Sequence, residues 1–212
     1  MTAKRPLLIV GAGGFGRETA SLVADLDTYE VQGFLDDDEK IHGTLRSGIK
    51  VMGPIAAALD SDAALVLTTG SPSNFGSREA IFTRLGLDPQ RYATLVHPSV
   101  FVGAGCTVGH GSVIHAGSVL TADVTVGDHV VAMPSVVLTH DDQVGDFVTF
   151  GAGALIAGRV TISKGAYIGS GARVREDCVV GSGALVGMGS VVVSDIPAET
   201  VWAGVPARQI KP

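Results

Sequence analysis

Three stretches of this 212-residue chain carry residue types and spacings suited to chemistry. The first is Thr139-His140-Asp141-Asp142. A carboxylate beside an imidazole fixes its tautomer and strengthens it as a base, as proton removal from an attacking amine or hydroxyl requires. Spacing alone leaves open whether Asp141 or Asp142 plays that part. The second is Gly11-Ala12-Gly13-Gly14-Phe15-Gly16, a G-x-G-x-x-G turn with Asp36 twenty residues beyond Gly16. Such a turn aims backbone N–H groups at phosphates, and the acidic residue meets ribose hydroxyls. The third is the pair His110 and His115. Two histidines do not make the three-histidine site of zinc hydration chemistry, so no metal is expected.

The elements that must position these residues follow two grammars. From Val102 to Val192 every sixth residue is apolar, sixteen positions without a break in phase. Neither a helix, with period 3.6, nor a lone strand, with period 2, repeats this way. A hexapeptide period marks a parallel β-helix, in which each unit is a short strand and a corner, and coils stack rung on rung. A second series four residues on is mostly small, and Asp142 is the one charged residue in either series. A carboxylate there needs a partner or bound water. Glycines one step past the aliphatic, such as Gly103 and Gly109, are expected to supply positive φ at the bends. With three hexapeptides per turn, residues 18 apart stack, which places Gly158 next to His140. A glycine there would let a substrate approach the backbone, its N–H placed to polarise a thioester carbonyl.

The first ninety residues alternate strands and helices and predict a small parallel α/β sheet. Pro6–Val10, Val31–Leu35 and Ala63–Thr69 read as strands, Arg17–Leu26, Ile55–Leu59 and Arg78–Leu85 as helices, with Ser77 a cap for the last. His97-Pro98-Ser99-Val100 opens the coil, and the stretch beyond Asp195 reads as a capping turn. The fold class is thus a small Rossmann-like α/β domain over residues 1–92, followed by an all-β parallel β-helix over residues 93–212 with a tail from about 195. Half a dinucleotide domain fits a mononucleotide or nucleotide sugar better than NAD.

Hydrophobic residues make up 46% of the chain and aromatics only 5%, which suits a narrow β-helix interior. A net charge of −6 argues against general nucleic-acid affinity. Cys106 and Cys178, in different coils, read as packed thiols. No signal peptide or membrane span is expected, which points to the cytoplasm.

The whole chain resembles the bacterial sugar O-acyltransferases of the sialic-acid O-acetyltransferase type, which include N-acetyltransferases acting on UDP- or GDP-linked 4-amino sugars. The resemblance rests on GAGGFG at Gly11–Gly16, FLDDD at Phe34–Asp38, VHPSV at Val96–Val100, THDDQVGDFV at Thr139–Val148 and DIPAETVWAGVPAR at Asp195–Arg208. It implies a left-handed β-helix that trimerises, with active sites between protomers and acetyl-CoA as co-substrate. By it His140 is the general base, with Asp141 or Asp142 supporting it. Gly158 contacts the thioester region and Arg208 meets CoA phosphates. Gly11, Gly13, Gly14, Asp36 and Asp37 hold the nucleotide of the sugar. Two positions depart from some of the amino-sugar N-acetyltransferases, which carry histidine where this chain has Phe15 and Thr149.

Acetyl transfer to a nucleotide-linked amino sugar is the leading expectation, and O-acetylation of sialic acid or another glycan unit the second. From other classes, a zinc hydratase would require His110 and His115, and a nucleotide-sensing scaffold would bind nucleotide without turning over a thioester.

Overall fold

The computed structural model describes residues 3–211. In the N-terminal domain, β1 (Arg5–Val10), β2 (Tyr29–Leu35), β3 (Leu45–Arg46), β4 (Ile49–Gly53) and β5 (Ala64–Leu67) form one sheet in the order β3-β4-β2-β1-β5. All neighbours are parallel except β3 and β4. The β3–β4 hairpin had no counterpart among the expected elements: its two-residue first strand is too short to show an alternating pattern. Leu7, Ile9, Phe34 and Val66 pack one face of the sheet, and Leu8, Val10, Leu35 and Leu65 the other. This is the alternation that a two-sided sheet requires.

Helix α1 spans Gly14–Ala24, starting three residues before the expected Arg17. Gly11, at φ 104°, completes the turn alone, so the helix begins as soon as Gly13 has passed. Ile55–Asp60 is a 3₁₀ helix. Helix α2 spans Ser77–Leu85, and the expected cap at Ser77 is not made. Gly76 occupies the cap position, and the Ser77 hydroxyl donates to Thr69 Oγ1 at 3.1 Å.

From Leu95 onward two-residue strands stack into a three-sided prism. The first strand is Leu95–Val96, one step before the expected start. Partners lie 18 residues apart up to Val192, as in Val119 with Val137 and Thr125 with Gln143. The aliphatic series and the small series both point inward, and Leu120, Leu138, Phe150, Ile156 and Ile168 are fully buried or nearly so. The chain ends in an antiparallel hairpin, Val201–Gly204 with Ala207–Lys211, rather than a simple turn. It extends one wall of the prism because Val201 and Trp202 pair in parallel with Leu185 and Val186.

The bends correct one expectation. Positive φ falls three residues past each aliphatic, from Gly105 to Gly189 in steps of six, and not on the glycines one step past it. At Gly103 the need is space: a Cβ there would lie 1.7 Å from the Thr121 carbonyl oxygen of the next coil. The left-handed positions are shared by glycines with Asp123, His129, Ser135, Asp141, Phe147, Arg159 and Asp177. Aspartate and histidine tolerate that conformation better than most residues.

The three walls differ outside. The wall of Val113, Val131 and Thr149 is buried under the N-terminal domain. The wall of Thr107, Thr125, Gln143 and Thr161 presents an exposed polar column. The wall between them carries Phe101, Val119, Val137, Leu155, Arg173 and Val191 outward, apolar up to Leu155. Phe101 and Leu155 are 60% and 38% exposed. No helix of the described residues is long and apolar enough to cross a membrane.

Helix α2 is bolted to the coil by a buried cluster. His129 and Phe147 stack at 5.0 Å and 7° between planes, and Phe82 packs on both. Arg78 is 1% exposed and spends its guanidinium on carbonyl groups of the coil. Residues 129 and 147 are 18 apart, so the rung repeat itself supplies the stack.

Candidate active site

The glycine turn forms the wall of a cleft of about 360 Å³ lined by Gly11, Gly13, Gly14, Phe15 and Asp36 and, opposite, by Thr69–Ser71, Asn74 and Ser77. Each glycine answers a separate need. Gly11 makes the bend, and a Cβ on Gly16 would lie 2.0 Å from the Gly11 carbonyl oxygen. A Cβ on Gly13 or Gly14 would meet nothing, so their backbone faces open space. Helix α1 has neither a side-chain cap nor an acidic residue in its first turn. Its first amides and the positive end of its dipole therefore face the cleft free for an anion.

Asp36 stands in this cleft, its carboxylate accepting from Ala12 N at 2.9 Å and Asp38 N at 3.0 Å. It fixes the turn against the end of β2. Asp37 does not line the cleft: its oxygens take Ile55 N at 2.9 Å and Arg84 at 2.8 Å. Those partners hold its carboxyl below the usual range against the opposing effect of burial. A second cleft of about 180 Å³ shares Phe15 and Gly70 with the first and runs to the coil. Met133, Thr149, Gly151, Tyr167 and Arg78 complete it. Both positions that depart from the family pattern, Phe15 and Thr149, therefore face one cavity.

The second centre is the corner after the apolar wall. His140 Nδ1 lies 2.8 Å from Asp141 Oδ2, with the imidazole about half exposed. Asp141 reaches back because its backbone is left-handed, at φ 63°. An ionised Asp141 holds the proton on Nδ1 and leaves Nε2 with a lone pair for a substrate proton. Asp142 points inward instead and is fully buried. Its two oxygens accept Thr139 N and Val160 N, each at 2.9 Å. Burial pushes its pKa up to about 7 against those two amide bonds. It ties the His140 corner to the rung above.

Gly158 stacks on His140, as the 18-residue turn requires. The space where its Cβ would stand is taken by the imidazole, 2.4 Å from Cε1 and Nε2. Among the described residues its N–H donates to no backbone or side-chain group. Arg208 lies on the terminal hairpin, exposed, with Nη1 on the Ala207 carbonyl oxygen at 2.8 Å. That hairpin is three rungs beyond His140, roughly 14 Å at the usual strand spacing.

The remaining histidines lie apart from the His140 corner, His42 with Nε2 2.7 Å from the Asp36 carbonyl oxygen. His115 is buried beneath Phe15, 5.9 Å between ring centroids, and His110 is exposed. His97 pairs with Asp25 at 3.1 Å and so holds α1 on the first coil. Among the described residues no three histidine, cysteine or acidic side chains gather to hold a metal ion. Cys106 and Cys178 are free.

Residues 6–83 match the family model described as the PglD N-terminal domain. No curated protein matches the chain. Over the full length, the chain is similar to the acetyltransferase domain of PglB from Neisseria gonorrhoeae FA1090. Identity is 30%, coverage is 98% of this chain and 100% of that one, and the TM-score is 0.84. The chain belongs to the hexapeptide-repeat sugar acetyltransferases. It is an acyltransferase. The same PglB domain is also solved in complex with acetyl coenzyme A, at 29% identity, equal coverage and a TM-score of 0.83. At 24% identity, PerB from Caulobacter crescentus in complex with CoA and GDP-perosamine covers 99% of this acetyltransferase and 98% of its own length, with a TM-score of 0.84. That likeness is one of fold.

Proposed function

We propose that this acyltransferase moves an acetyl group from acetyl-CoA to the amino group of a nucleotide-linked amino sugar by direct attack, with His140 as general base. The observation that carries the reading is the 2.8 Å contact between His140 Nδ1 and Asp141 Oδ2 at an exposed corner. Nε2 takes a proton as the amine nitrogen attacks the thioester carbonyl. The C–N bond forms, the C–S bond breaks, and the leaving thiolate is protonated from the imidazolium. No acyl-enzyme intervenes. Asp141 orients the imidazole, whereas Asp142 fixes the corner that carries it.

The nucleotide lies in the larger cleft, its phosphates on the Gly13–Gly14 amides and its ribose by Asp36. The amino sugar extends through the second cleft toward the coil. Acetyl-CoA runs along the coil, its thioester near the Gly158 N–H and its phosphates toward Arg208. The PglB domain, solved with acetyl coenzyme A, supports the acyl donor. A homotrimer closes the site. The outward apolar residues Val119, Val137 and Leu155 adjoin the His140 corner and would be buried on a neighbouring copy. The reading places the enzyme in the cytoplasm, with its acetyl-CoA.

Thiol release from acetyl-CoA, measured with UDP- and GDP-linked 4-amino sugars and with free sialic acid, tests the reading. Turnover on a nucleotide amino sugar supports it. Turnover on sialic acid alone replaces it with O-acetylation, and turnover on none contradicts it.

A further inference from the structure

Arg78 is a cation 1% exposed, and among the described residues it pairs with no carboxylate. Buried charges are normally matched by an opposite one, because burial in a low-dielectric interior penalises the charged form. Desolvation lowers its pKa to about 10, which still leaves it charged at neutral pH. Its contacts with the protein are all to neutral oxygens. Nε donates to His129 O at 3.3 Å and Nη1 to Thr69 O at 3.2 Å. Nη2 donates to Phe147 O at 2.8 Å, Val148 O at 3.2 Å and Thr149 Oγ1 at 2.8 Å. A guanidinium has five N–H bonds, two of them on Nη1. One Nη1 hydrogen is left over.

Arg78 lines the smaller of the two clefts, with Gly70 against its Nη1. Gly70 lines both clefts, and a Cβ on it would come within 3.1 Å of Nη1. The glycine keeps the approach to the guanidinium clear where the nucleotide cleft narrows into the cleft toward the coil. On the other side of the nucleotide cleft stand the free amides at the start of α1. A diphosphate spanning the cleft would meet backbone donors with one phosphate and the guanidinium with the other.

We infer that Arg78 supplies, through Nη1, the charge that binds the sugar-side phosphate of a nucleoside diphosphate sugar. The assignment rests on the nucleotide-sugar reading above and adds what that reading lacks: a residue that tells a diphosphate from a monophosphate. A charged donor to a phosphate oxygen makes a strong hydrogen bond, and Arg78 is held ready for it by five contacts. The same contacts tie the ligand to the packing of α2 on the coil.

The test is calorimetric binding of UDP, UMP, GDP and GMP to the full chain, comparing wild type with Arg78→Gln and Gly70→Ala, each checked by thermal melting. The second variant sets a methyl group in front of Nη1 at a backbone φ of 130°, where alanine is strained, so a third variant, Arg78→Lys, which keeps the charge without the Nη1 donor, is measured beside it. The expected result is a wild-type preference for one diphosphate over its monophosphate of about tenfold or more, the range of one charge-assisted hydrogen bond. That preference falls toward unity in every variant that folds. A folded Gly70→Ala with the preference intact overturns the inference and leaves Arg78 a clamp between domains. If no nucleotide binds wild type at all, the nucleotide-sugar reading fails and takes this one with it.

Discussion

Gly158 lies directly against the imidazole of His140, and a methyl group on it would stand 2.4 Å from Cε1 and Nε2. Gly158→Ala therefore displaces the base without removing it. Its backbone is not in the left-handed region, so alanine adds no strain of that kind. The expected outcome is a kcat lower by about 10- to 100-fold, the scale of a 1 Å misplacement, with the melting temperature changed little. Steady-state thiol-release kinetics beside a thermal melt check both halves.

Asp141 and Asp142 separate by experiment as they do in space. Asp141→Asn keeps a residue that tolerates φ 63° and removes the charge on Nδ1. It should lower kcat by roughly 10- to 10³-fold with little loss of stability. Asp142→Asn turns an amide NH₂ toward one of the two backbone donors it now satisfies. It should cost about 1–3 kcal/mol of stability, read from denaturant unfolding, with the smaller direct effect on chemistry.

Much of this is legible in the sequence. A period of six kept through sixteen positions specified the coil, and adding 18 to His140 led to Gly158. The glycine turn with Asp36 in register marked the cleft. What stayed hidden depends on contacts between distant elements or on backbone direction at a corner. Asp141 and Asp142 are adjacent, and only the left-handed bend sends one outward and the other into the core. Arg78 reads as an ordinary helix-surface arginine until α2 is laid on the coil. Glycines served two different purposes six-residue repeats cannot distinguish, space at Gly103 and positive φ at Gly105.

His115 and His129 sit buried between the two domains, and desolvation lowers each pKa to about 4. In the unfolded chain each takes a proton near pH 6.5, while the folded protein holds them neutral. The unfolded state thus binds more protons between pH 6.5 and about 4, and stability falls as pH drops through that window. Each contributes a loss of at most about 3 kcal/mol by its lower end. Asp142 acts in the opposite sense, its pKa raised to about 7, so the stability tied to its protonated form is lost as pH rises from 3.8 to about 7. His129→Gln should flatten the acid side of a melting-temperature profile measured from pH 7 to pH 4.

The apolar wall predicts assembly. Val137→Glu places a charge in the middle of the Val119, Val137 and Leu155 column and should convert a trimer to monomers in light scattering. Thr161→Glu, on the exposed polar wall, should leave the mass unchanged. A wild-type monomer would contradict the shared site.

His140→Ala is the measurement that bears most directly on the mechanism. Thiol release from acetyl-CoA, with the nucleotide amino sugar that wild type turns over fastest, should fall by about 10²-fold or more in the variant while the thermal melt is unchanged. A folded variant that keeps the wild-type rate would contradict His140 as the base and leave the 2.8 Å pair with Asp141 a structural contact.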